Sequence, residues 1–71
     1  MPDKTYDVVE IVGVSEDSVH QAVRNALTKA SRTLRNIDWF KVKKIRGAVK
    51  NNSEPIFQVH IELGFRLEDK S

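Results

Sequence analysis

Apolar and polar positions alternate most cleanly toward the C-terminal end of the chain. From Ile56 to Leu67, Phe57, Val59, Ile61, Leu63, Phe65 and Leu67 share one parity, and Gln58, His60, Glu62, Gly64 and Arg66 share the other. A period of two predicts a β-strand with one apolar face, about 40 Å long at 3.3 Å per residue. A strand of that length outreaches a single tiny domain, so part of it is expected to touch a neighbour. Tyr6 to Val14 holds Val8, Val9, Ile11, Val12 and Val14. This β-branched run predicts another strand, with Val9 and Ile11 alternating against Val8, Glu10 and Val12. Gly13 near its end suits a bulge or a close approach of two backbones.

Between these segments the period changes to that of a helix. Val19, Ala22, Val23, Ala26, Ala30, Leu34 and Ile37 follow the i, i+3, i+4, i+7 rhythm of one buried stripe. Ser15-Glu16-Asp17-Ser18 reads as the helix start, with Ser15 as the cap and the two acids facing the positive end of the dipole. Arg32 and Arg35 close it with the favourable sign of charge. From Glu16 to Leu34 such a helix is about 28 Å long at 1.5 Å per residue. Its alanine- and valine-rich stripe allows it to sit close on a sheet.

Trp39 to Lys50 predicts the remaining strand, but its alternation slips. Phe40 and Val42 share one parity, Ile45, Gly47 and Val49 the other. Either a bulge near Lys43-Lys44 resets the register, or one end of the strand is covered on both faces. Asn51-Asn52-Ser53-Glu54-Pro55 is a turn by composition. The order is therefore strand, helix, strand, turn, strand, an α+β βαββ unit. The helical crossover makes the first two strands run the same way, and the turn folds the third back. With the third strand in the middle, order 1-3-2, every neighbour is antiparallel. The helix covers one face of this three-stranded antiparallel sheet, and the other face needs solvent, a subunit or a ligand. Glu68 to Ser71 reads as a frayed end.

Length sharpens that last point. The 71 residues make one domain, 1–71. A chain this short hides only about 60% of the surface its unfolded form exposes. Cysteine is absent, which excludes disulfides and thiolate metal sites. His20 and His60 are too few and too far apart to announce zinc, and no metal site is expected. Assembly is then the expected compensation. No apolar run approaches the roughly 20 residues of a membrane span, and Met1-Pro2-Asp3-Lys4 has no secretory h-region; the expected compartment is the cytoplasm. Twelve Lys and Arg against ten Asp and Glu leave a formal charge of +2, which does not call for nucleic acid. Lys41, Lys43 and Lys44, the densest basic run, read as protection of an exposed strand edge. His20 and His60 read as exposed, with His60 also able to border a cleft. Glu10 and Glu62 together have the chemistry to line a channel or hold hydrated cations.

The candidate chemistry gathers around Trp39. A lone tryptophan often serves only as a core or interface anchor. Its companions Asp38, Arg46, Gln58 and Arg66 add a carboxylate, an amide that both donates and accepts, and two cations. Indole stacks on planar rings, the glutamine amide complements a carbonyl and imide N–H on a ring edge, Asp38 accepts from hydroxyls, and guanidinium groups fork onto phosphate. A solvated charged face has the same residue types. There is no nucleophile with an oriented base and no convergent pair of carboxylates, so turnover is not expected.

Taken together, VVEIVG with its Ser-Glu-Asp-Ser start, SRTLRNIDWF, KVKKIRGAV and FQVHIELGFRLED span nearly the whole chain. In these segments the sequence resembles the dodecins, small flavin-binding proteins. The resemblance implies a hollow shell of twelve identical subunits, each a three-stranded antiparallel sheet partly wrapped around a helix. It implies flavins bound in stacked pairs at two-fold contacts, between symmetry-related tryptophans. By the match, Trp39 corresponds to the stacking tryptophan and Gln58 to the glutamine on the flavin's pyrimidine edge. Asp38 corresponds to the ribityl contact, and Arg46 and Arg66 to phosphate-side residues of bacterial, FMN-binding members. Archaeal members favour riboflavin or its breakdown products, so the ring system is better specified than the flavin. The implied function is flavin storage, sequestration and photoprotection. Two other readings compete: a structural oligomer holding another cofactor such as a coenzyme A-type nucleotide, and a flavin-dependent redox protein.

Overall fold

A computed structural model describes residues 4–67, so the end expected to fray, Glu68 to Ser71, lies outside the described residues. Strand β1 (Tyr6–Ser15) leads into helix α1 (Val19–Ala30), followed by strands β2 (Ile37–Lys50) and β3 (Glu54–Arg66). The sheet order is β1-β3-β2, and both pairings are antiparallel. The expected βαββ topology is therefore present, with β3 in the centre. The molecule is a bar, 55 × 20 × 14 Å.

The helix is shorter than its periodicity predicts, and its cap is a different serine. Ser18, in an extended conformation, accepts from the Gln21 N–H at 2.9 Å and starts the helix. Ser15 is instead the last residue of β1, where its hydroxyl accepts from the Asp17 and Ser18 N–H groups at 2.9 and 3.4 Å. Glu16 and Asp17 thus precede the helix, and Glu16 pairs with Lys50 at 3.7 Å. At the other end Lys29 is the basic residue of the last turn. Beyond it, Thr33 and Leu34 N–H groups both donate to the Ala30 carbonyl, which dissolves the helix into turns before Arg32 and Arg35 can belong to it. Asn36, at φ 62°, then swings the chain into β2. Leu34 and Ile37 still pack on the core, Leu34 from the turn and Ile37 from β2. Their spacing mimicked a helical stripe because both reach the same apolar layer.

That layer is small. Ala22, Ala26, Val59, Ile61 and Leu63 are buried, with Val9, Ile11, Val19, Val23 and Leu27 packed around them. The helix lies over β1 and β3, and Gly13 brings it close. A Cβ on Gly13 would collide with the Ala22 carbonyl and lie 2.9 Å from Ala26 Cβ.

β2 resolves the slipped alternation. The register shifts between Val42 and Lys44, so a bulge at Lys43 restores the pairing. Phe40, Val42, Ile45 and Val49 stand opposite Leu63, Ile61, Val59 and Pro55, which places all four on the helix side of the sheet. The alternative, one end of β2 covered on both faces, is not needed. The helix does not reach that far, and these four side chains stay exposed, Ile45 at 54% and Val49 at 68%. Past the Ser15–Phe57 pairing the sheet narrows to β2 and β3 alone. Their hairpin turns at Asn51 and Asn52, both at positive φ, with Ser53 N–H donating to the Lys50 carbonyl at 3.2 Å. Asparagine tolerates that region, and positive φ at both central residues matches the twist of the flanking strands.

Candidate functional site

Residues directly opposite in an antiparallel pair point to the same face, so the register maps the face the helix leaves open. From β1 it takes Tyr6, Val8, Glu10, Val12 and Val14; from β3, Arg66, Gly64, Glu62, His60 and Gln58; from β2, Trp39, Lys41, Lys44 and Arg46. Trp39, Arg46, Gln58 and Arg66 belong to this face, and Asp38, in a register shift beside Trp39, is joined to it through Tyr6 and Arg66, but the residues fall into two groups. Trp39 stands opposite Gly64, beside Asp38 and Arg66. Arg46 stands opposite Gln58. Gln58 and Gly64 are about 20 Å apart along β3 at ~3.3 Å per residue. One chain does not bring the five together.

The first group is built around Asp38, where the register of β2 shifts once more between Ile37 and Trp39. The Tyr6 hydroxyl donates to Asp38 Oδ2 at 3.0 Å, and Arg66 Nη1 lies 3.7 Å from the same oxygen. Arg66 Nη2 also donates to Asn36 Oδ1 at 3.4 Å, while the Arg66 N–H donates to the Asn36 carbonyl at 2.9 Å. The hydrogen bond to Asp38 raises the Tyr6 pKa above its ordinary 10.0; burial and the Asp38 charge add to the rise and the Arg66 charge opposes it. The Tyr6 ring abuts Trp39, centroids 6.4 Å apart and planes tilted by 57°. Trp39 itself is 39% exposed and lies across Gly64.

Tyr6, Asn36 and Gly64 escaped the reading of the sequence. Once β1 and β3 are paired in register, Tyr6 falls opposite Arg66, and a glycine inside a cleanly alternating strand is itself a sign of close approach. Asn36 follows the end of the predicted helix, where asparagine readily takes the left-handed conformation it has here.

Between the two groups lies a charged strip. Glu10 and Glu62 are directly opposite, a like-charge pairing that costs stability. Lys43 offsets it by reaching Glu62 at 3.7 Å. No group of three or more His, Cys, Asp or Glu among the described residues has the spacing of a metal site. A hollow of about 720 Å³ lies elsewhere, between α1 and β1, lined by Ile11, Ala26, Ala30, Lys29 and Arg32 among others. It contains none of the five candidates. No helix among the described residues is long and apolar enough to cross a membrane.

Comparison with known proteins agrees with this architecture over the described residues. The family model described as Dodecin matches residues 5–68. The dodecin of Thermus thermophilus is 47% identical over 66 residues, 93% of this chain and 96% of that protein. Among solved structures, dodecin from Streptomyces coelicolor superposes with a TM-score of 0.90 at 51% identity, covering 99% of this chain and 100% of that one. Dodecin from Streptomyces davaonensis gives 0.91 at 43% identity, covering 96% and 100%. With its βαββ order and its open, tryptophan-bearing face, the chain belongs to the dodecin family, flavin-binding proteins that are not enzymes and whose membership implies a homododecamer.

Proposed function

We infer that this protein binds FMN in stacked pairs at two-fold subunit contacts, as a cytoplasmic store that sequesters flavin and shields it from light. The observation that carries this reading is the half-exposed indole of Trp39, lying on the open face of the sheet beside Asp38 and Arg66. A two-fold axis turns one such indole into two facing plates, and planar rings fill the space between. Asp38 accepts from ribityl hydroxyls. Arg66 and Arg46 supply the phosphate side, and the Gln58 amide pairs with the pyrimidine edge. The separation of Gln58 from Trp39 within one chain fits a slot that draws on more than one subunit. Close stacking on an electron-rich indole gives an excited flavin a short path to electron transfer, which quenches it.

Titration separates the ligand from the role. Protein added to FMN should extinguish its fluorescence, Trp39→Ala should remove most of that effect, and riboflavin should bind more weakly than FMN at low salt. Undiminished FMN fluorescence with protein in excess would refute flavin binding. Equal affinity for FMN and riboflavin would refute the phosphate assignment of the arginines. A purely structural oligomer would purify colourless and ignore both flavins.

A further inference from the structure

We propose that Gly64 is the positioning residue for Trp39, holding the indole flat on β3 and thereby setting the affinity for the ring that stacks on it. The inference rests on the flavin reading of Trp39 and extends it to a residue with no side chain of its own. A Cβ placed on Gly64 would lie 2.5 Å from Trp39 Nε1 and closer still to Cε2 and Cζ2. Cε2 sits in the notch between the other two atoms, so an in-plane approach would meet Nε1 and Cζ2 first. Here Cε2 is the nearest of the three. The glycine therefore lies beneath the face of the ring, and the indole covers the backbone of a buried residue on the central strand. Tyr6 blocks sideways movement at 6.4 Å, held in turn by its hydrogen bond to Asp38. One face of the indole is spent on the sheet, and the ring remains 39% exposed.

Any other residue at position 64 forces the ring to shift or tilt, because the colliding atoms are a rigid bicycle rather than the end of a flexible chain. A tilted plate cannot lie parallel to a planar ligand, and offset stacking depends on that geometry. The loss of one stacking contact corresponds to about a tenfold change in affinity.

The test uses the assembled protein and its single tryptophan. Gly64→Ala should keep its mass in solution, bind FMN about tenfold more weakly and quench it less. In a Trp39→Ala background the same substitution should cost nothing further, since Gly64 acts through the indole. Equal affinity and quenching in Gly64→Ala, or an undiminished loss in the Trp39→Ala background, would overturn the proposal. Should Gly64→Ala fail to assemble, time-resolved fluorescence anisotropy of Trp39 in the flavin-free protein decides. A seated ring shows almost no subnanosecond depolarisation, and a freely rocking one overturns the proposal. Wild-type protein that leaves FMN untouched defeats the flavin reading alone, because the anisotropy still judges the seat.

Discussion

Asp38 ties the aromatic pair to the guanidinium of Arg66, and at the scale of single residues this is where the site's chemistry concentrates. Tyr6 donates into a carboxylate that Arg66 also approaches. The neutral phenol is therefore favoured in the folded protein, and the Tyr6 pKa is raised. The sign of the linkage follows: this contribution to stability is complete below pH 10.0, the ordinary phenol value, and is lost as pH climbs through the raised one. Because the chain has one tyrosine, tyrosinate absorbance reports it alone. Its midpoint should lie above that of the unfolded chain, and Asp38→Asn should bring it back down. Trp39, Asp38 and Arg66 were legible in the sequence as neighbours in chemistry. Tyr6 and Gly64 were not, because their part depends on cross-strand register, and register follows from pairing rather than from composition.

Elements were legible where one period ran uninterrupted. β3 was, since its alternation is unbroken from Phe57 to Phe65, and Val59, Ile61 and Leu63 are fully buried as that pattern requires. The bulge at Lys43 was legible as a slip in parity. The helix was overextended because Leu34 and Ile37 keep its rhythm after its hydrogen bonds have ended, and because Ser15 is as able a cap by type as Ser18, which immediately precedes Val19. What holds α1 against β1 is the absence of a side chain at Gly13. Gly13→Ala should destabilise the fold by about 1–3 kcal/mol through overpacking, read as a lower midpoint in thermal or denaturant unfolding. The added methyl meets main-chain atoms that cannot rotate aside, so an unchanged midpoint would mean that helix and strand are not in contact as described.

For the whole molecule, the arithmetic of burial is unfavourable in one copy. Five residues make up its buried apolar core, while Phe40, Val42, Ile45 and Val49 stand exposed on the helix side of β2. Covering each of these is worth roughly 1 kcal/mol or more, which matters against the ~5–15 kcal/mol that holds a typical domain together. Ile45→Asp should lower the mass in solution below that of a dodecamer, measured by light scattering, and should leave the remaining protein easier to unfold. A full-size assembly with Asp at position 45 would show that this stripe faces water. Length and composition pointed to assembly; the exposed apolar stripe on the helix side of β2 was not legible, because the reach of α1 decides it, and the reach was overestimated. The two-stranded arm beyond Ser15 adds a kinetic side to the same shortage. A lone chain can pair β1 with β3 and cover them with α1, whereas the arm in one copy remains a two-stranded ribbon with Val49 exposed. Renaturation should therefore quicken as chains are concentrated, and extreme dilution should strand them half-finished.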